Sequence, residues 1–305
     1  MPPPRRDALE GILGGALGWL EGNLHLFPGN TQATLELAIL RYFWARSRPA
    51  DARLESASRL LCEVWRDPGF REQVLTHPYH AHLYELLYQA LAPADGPARR
   101  GEPPRTPPRH ESADLPPQHL AFLRLEARYY AELAGIAVTA TAPSATYDEV
   151  YRATILGTNP SAADVSDSDA YLIAHIAFYL SDFGGRVPPL SPGDLDQAAA
   201  VVAALLERCV LRGHNWDLAS ELVLAQHCLG GDPCRTRGGQ DAIAGLAAAQ
   251  LADGSLPGRV PVRQLESPAA DCFRGRYHST LAVALMATLV SACPPATTGG
   301  RAPVT

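Results

Sequence analysis

Tyr171, His175, Phe178 and Asp182 are separated by four, three and four positions. On a helix they share one face. An imidazole and a carboxylate on an aromatic face suit a pocket wall, where apolar surface holds a small ligand and a few polar groups orient it. His175 and Asp182 stand two turns apart, ~10 Å along a helix axis. They are therefore expected to face one cavity rather than each other. The same spacing also serves a core stripe in which His175 bonds a backbone carbonyl.

A second group is His214-Asn215-Trp216-Asp217, with Glu221 one turn further on. His214, Asp217 and Glu221 are spaced to converge, either on a divalent ion or as an acid/base cluster in which like charges raise one carboxyl pKa. The alternative is a helix start, with Asn215 as N-cap and the acids complementing the dipole. His227-Cys228 reads as a helix terminus followed by a buried thiol.

The third group, Arg274, Arg276, Tyr277 and His278, is predicted to open the last helix. A histidine at a helix N-terminus has its cation disfavoured and is left neutral, as base or ligand. Arg274 and Arg276 would hold an anionic substrate group by bidentate bonds. Taken together, the expected acid/base residues are His175, Asp182, Asp217, Glu221 and His278. The expected substrate contacts are Tyr171, Phe178, Trp216, Arg274, Arg276 and Tyr277. No metal ligand and no cofactor is assigned.

The elements carrying these residues are helical. Strand alternation is absent, while apolar residues recur at three and four throughout. Helices are predicted over about 6–26, 31–48, 52–65, 78–91, 118–135, 146–157, 168–183, 194–212, 215–229, 239–252 and 277–292, with Asp67-Pro68-Gly69 and Asp253-Gly254 as turns. Short connections imply antiparallel α/α hairpins, hence an all-α protein of about ten helices, toroid-like or an irregular helical bundle. Residues 92–117 hold eight prolines and few large apolar side chains, too little to offset ordering entropy. They read as a linker or mobile loop between an N-terminal helical subdomain (1–91) and a pocket-bearing C-terminal one (118–293), with a disordered tail over 294–305.

The 305 residues are 47% hydrophobic and 19% charged, with a net charge of −6. All 26 basic residues are arginine. Without lysine there is no Schiff-base nucleophile, Walker-A lysine or kinase strand lysine. Net negative charge argues against general nucleic-acid binding, and no apolar run reaches the ~20 residues of a membrane span. None of the six cysteines forms a Cys-xx-Cys pair, and Arg5-Arg6 precedes what reads as an amphipathic first helix rather than a signal. A reduced, cytoplasmic protein is expected.

Gln250 to Ser255 is similar to the Gln-xx-Asp-Gly-Ser-Trp repeat of α/α-toroid proteins, the terpene cyclase and prenyltransferase β-subunit group, with Leu256 in place of Trp. Tyr277-His278-Ser279-Thr280 is similar to the Tyr-His-Thr of the β subunits, where the resemblance implies a zinc-ligating histidine. Asp271-Cys272 resembles their Asp-x-Cys ligands without the spacer. Asp167-Ser168-Asp169 resembles a cyclase Asp-x-Asp-Asp motif, with Ala170 at its last position. The whole chain more closely resembles an uncharacterised all-helical family of high-GC bacteria. The shared features are His175-xx-Phe178-Tyr179-xx-Asp182-Phe183-Gly184, Trp216-Asp217-xxx-Glu221, the Asp-Gly turn and Tyr277-His278. That resemblance implies that these residues form a set, and it carries no activity.

Two functions are expected from these residues. One is a biosynthetic enzyme of specialised metabolism whose pocket, built by the helices after the linker, uses acid/base groups for proton transfer, elimination or cyclisation on a small apolar or peptide-like substrate. The other is a non-catalytic binding or partner protein in which the same residues satisfy one another inside a polar core network.

Overall fold

The computed structural model describes residues 5–78, 80–93, 105, 115–136, 145–213, 215–258 and 269–292. Among them are twelve α-helices and no strand. The helices are α1 (Arg5–Gly22), α2 (Thr31–Ser47), α3 (Glu55–Arg66), α4 (Pro68–Thr76), α5 (Ala81–Ala90), α6 (Pro117–Leu133), α7 (Tyr147–Ala153), α8 (Asp167–Ser181), α9 (Pro192–Arg212), α10 (Trp216–Cys228), α11 (Arg237–Ala249) and α12 (Ala269–Ala292). The fold is an all-α helical bundle.

Local chemistry sets the starts. Asn30, Ser166, Ser191 and Thr236 each accept a hydrogen bond from a first-turn backbone N–H of α2, α8, α9 and α11, and Thr146 and Glu149 form a reciprocal capping box on α7. The same chemistry corrects one expected turn. Asp67 accepts from Gly69 N and Pro68 occupies the first helical position, where a missing N–H costs nothing. Asp67-Pro68-Gly69 therefore starts α4, and the helix expected at 78–91 is α5.

Two helices form the centre. α12 packs against α1, α2 and α10, and α10 packs against α8, α9, α11 and α12. Every residue of α10 from Asp217 to Gln226 is buried, as its enclosure on several sides requires. α1 buries its stripe of Leu9, Ile12, Leu13, Ala16, Leu17 and Leu20 and packs chiefly on α12 and α11. One hydrophobic core runs from these residues through Trp65 and Leu125 to Leu222 and Met286. Of 92–117 only 92, 93, 105 and 115–117 belong to the described residues; the tail 294–305 lies outside them.

The Asp253-Gly254 turn ties the C-terminal half to α1. Gly254 has a φ of 89°, and a Cβ there would collide with the backbone carbonyl of Gly15. Gln250 Nε2 donates to Ile12 O at 2.8 Å and to Gly254 O at 2.9 Å.

Candidate acid/base pocket

Four helices of the bundle each contribute one carboxylate or imidazole to a common pocket: Glu36 from α2, His175 from α8, Glu221 from α10 and His278 from α12. On each helix an apolar lining residue follows one turn later: Ile39 and Leu40, Phe178, Leu224, and Leu281. The polar groups meet one another, and the remaining wall is apolar, completed by Leu285, Phe183 and the rings of Tyr130 and Tyr179. The cavity is open to solvent on one side and has a volume of about 130 Å³. A cavity of about 150 Å³ holds benzene, so a ring-sized group fits inside and a larger ligand must extend through the opening.

His278 is the hub. Its Nδ1 lies 2.9 Å from Glu36 Oε2, and its Nε2 lies 3.9 Å from Glu221 Oε1 and 4.0 Å from Asp217 Oδ2. Burial disfavours its cation, but Glu36, then Glu221 and Asp217, outweigh this and hold the imidazole proton up to a pKa of about 10. The expectation of a neutral, dipole-depressed histidine is therefore corrected. α12 begins at Ala269, which puts His278 well inside the helix, and its charge state follows from three carboxylates contributed by two other helices.

His175 Nε2 sits 3.2 Å from Glu221 Oε2. Burial lowers its pKa, whereas the Glu221 carboxylate raises it by more, so the net shift is upward. Glu221 is 7% exposed. It lies between the two imidazoles, and its Oε2 makes no hydrogen bond of good geometry. Asp217, one turn earlier on α10, stands behind the pocket wall and accepts from Tyr171 Oη at 2.7 Å.

Other expected residues are placed elsewhere. Asp182 lies outside the pocket. It caps α8 in the left-handed region, with φ 51°, and receives Arg46 Nη2 at 2.6 Å, Arg46 Nη1 at 3.1 Å and Tyr129 Oη at 2.7 Å. Phe183 follows, also left-handed at φ 54°. Two such non-glycine residues in a row reverse the chain at an energetic cost, turning Phe183 into the pocket against Phe178 and Asp182 away from it. Extrapolating the helical face to Asp182 fails because the helix has ended.

Trp216 packs beside Gly245 of α11, away from the pocket. Arg274 pairs with Asp271 on the exposed side of α12. Arg276 pairs with Asp253 at 3.0 Å, in a separate depression with Trp19, Phe273 and Cys272. Neither arginine is placed to hold an anion in the main pocket, because each already meets a carboxylate of its own. Tyr277 is buried, stacks on Phe273 at 5.3 Å between centroids and has its phenol pKa pushed up by burial and by Glu36. His214 lies outside the described residues.

The zinc ligands implied by the toroid resemblance do not come together. Asp271 faces Arg274, Cys272 lines the depression beside Trp19, and His278 faces carboxylates. Among the described residues no three His, Cys, Asp or Glu side chains gather to hold a metal ion. Cys228 is a buried thiol pushed up to about 12 by burial, and burial lowers the neighbouring His227.

Glu36 and Tyr130 escape the sequence reading, and Tyr179 and Phe183 enter it only as members of the shared element, not as pocket residues. Glu36 carried the one available signal, a lone carboxylate in the inward apolar pattern of α2, one turn before Ile39 and Leu40. No curated protein and no solved structure matches the chain. The profile of a family described as a domain of unknown function (DUF6895) matches residues 14–288 and so takes in every charged residue of the pocket. A match over nearly the whole helical bundle shows that the chain belongs to the DUF6895 family.

Proposed function

We propose that the protein is an enzyme of specialised metabolism that moves a proton on a small, largely apolar or peptide-like substrate, in an elimination or cyclisation. The observation carrying this reading is the His175–Glu221 contact of 3.2 Å inside an otherwise apolar pocket. A buried carboxylate against an imidazole fixes its orientation and stabilises its cation. Against the opposing effect of burial, the Glu221 carboxylate shifts the His175 pKa upward, which favours the imidazolium as the proton donor. His278 is a standing cation at neutral pH that offsets Glu36, Asp217 and Glu221, and its side chain is 42% exposed at the opening. Glu36 and Asp217 act as positioning residues through His278. Phe178, Phe183 and the leucines hold the apolar part of the substrate and exclude water.

Cys62, Cys209 and Cys228 are free thiols, which supports a reducing, cytoplasmic setting. Among the described residues no helix is long and apolar enough to cross a membrane. The net charge of −6 disfavours a nucleic-acid partner.

The alternative is a non-catalytic binding or partner protein. It draws support from the Glu36–His278 and Tyr171–Asp217 bonds, which satisfy these groups without any substrate. The test compares metabolites from a producing strain with those from a strain carrying His175→Ala, alongside the melting temperature of the purified variant. Loss of one product at unchanged melting temperature is expected. An unchanged product profile overturns the enzyme reading and leaves the binding one.

A further inference from the structure

The ring of His278 is held by a hydrogen bond on one side only. Its Nδ1 meets Glu36 Oε2 at 2.9 Å, and among the described residues no hydrogen bond reaches its Nε2. Nε2 lies 3.9 Å from Glu221 Oε1 and 4.0 Å from Asp217 Oδ2, too far for a hydrogen bond to either. Asp217 Oδ2 already accepts from Tyr171 Oη at 2.7 Å. Glu221 divides its two oxygens. Oε2 faces His175 Nε2 at 3.2 Å, while Oε1 is the one nearer His278. A polar pair at such a separation is bridged by one oxygen atom between them. That oxygen has to accept from the Nε2–H and donate to the carboxylate. Water and alcohols do both, whereas a carbonyl only accepts and an ammonium ion only donates.

Charge and shape, two independent features, lead to the same class of ligand. On the cavity wall the carboxylates of Glu36 and Glu221 are matched by the imidazoles of His278 and His175. With both rings protonated these charges cancel, so a charged ligand finds no unbalanced partner. The wall beyond this polar end is apolar, with Phe178, Leu224 and Leu281 among its side chains, and the cavity has room for a ring. Water in the bridging position leaves that apolar surface wet. A ligand hydroxyl there reproduces both hydrogen bonds of the water, and the hydrocarbon attached to it covers the wall.

We propose that the pocket takes a neutral alcohol, a hydroxyl on a ring-sized apolar group, whose oxygen accepts from His278 Nε2 and donates to Glu221 Oε1. This deepens the enzyme reading and rests on the same pocket, naming the substrate as an alcohol; recognition itself requires no turnover. A ketone of the same size keeps the bond from His278 and leaves Glu221 Oε1 without a donor. An ammonium ion offers Glu221 a donor but sets a second cation against the protonated ring of His278.

The test is calorimetric titration of the full chain at pH 7 with three probes of closely matched size: cyclohexanol, cyclohexanone and protonated cyclohexylamine. The alcohol is expected to bind about tenfold more tightly than the ketone, the difference made by one hydrogen bond to a carboxylate, and the ammonium ion weakest. Glu221→Gln is expected to bring the alcohol down to the level of the ketone. His278→Phe is expected to weaken alcohol and ketone alike, because both accept from Nε2. Equal binding of alcohol and ketone by the unaltered protein, preferred binding of the ammonium ion, or no alcohol binding at millimolar concentration overturns the proposal. Undiminished alcohol binding by His278→Phe overturns it as well. Should the variants not fold, the three-probe comparison on the unaltered protein decides alone. Failure here leaves proton transfer by His175 to be judged by its own metabolite test, and failure of that test leaves alcohol binding standing.

Discussion

His278 reports on the pocket through its proton. Its pKa in the folded state is about 10, against an ordinary value near 6.5. Between those values the folded chain keeps a proton that the unfolded chain has released, so folding is favoured less and less as pH rises through that window. The contribution is full below about 6.5 and gone above about 10. Melting temperature is therefore expected to fall across this range, and the slope to flatten in His278→Gln; scanning calorimetry at a series of pH values checks both. Nitrogen-detected NMR should show the His278 ring doubly protonated at pH 8, and a neutral ring there would contradict the carboxylate cage.

Asp182 tests a different role at the same scale. It binds Arg46 and Tyr129 outside the pocket, so Asp182→Ala should cost about 1–3 kcal/mol by leaving the Tyr129 hydroxyl without its acceptor. The product profile of the producing strain should change little. Urea denaturation measures the first expectation and metabolite comparison the second; loss of the product at unchanged stability would return Asp182 to the site.

At the scale of elements, the pocket depends on how helices end and where they touch. α8 stops at Ser181 and reverses through two left-handed residues, and that reversal decides that Phe183, not Asp182, faces the ligand. The turn at Gly254 presses on α1 and holds the chain before α12. Gly254→Ala combines an unfavourable positive φ with a collision against Gly15, and a loss of several kcal/mol is expected. Thermal melting checks it; a near-neutral effect would mean that the turn and α1 are not closely packed. Helix types and most boundaries were legible from apolar spacing and capping residues. The start of α4 was not, because Asp-Pro-Gly encodes a turn and a helix N-terminus equally well. Nor was the early start of α12, whose first turns lack a strong apolar period.

At the scale of the whole molecule, residues far apart in sequence become one site. Glu36 and His278 come from opposite ends of the chain and meet at 2.9 Å because α2 packs on α12. α1 packs on α11 and α12 and α2 on α12, with no α1–α2 interface of comparable extent, whereas α3, α4 and α5 pack on one another, on α2 and on α6. A fragment comprising residues 1–91 is therefore expected to lack a cooperative thermal transition and to show little chemical-shift dispersion. A folded fragment would support the two-subdomain division. The sequence by itself determined the helical class, several caps and three of the four carboxylate and imidazole groups that line the pocket: His175, Glu221 and His278. It did so because side-chain period and capping chemistry act over a few residues. Only tertiary structure decided that Glu36 joins them, that Asp182, Trp216, Arg274 and Arg276 do not, and that His278 carries a charge. Those outcomes depend on which helices pack together, and the electrostatic environment of a side chain is made by neighbours that local spacing does not specify.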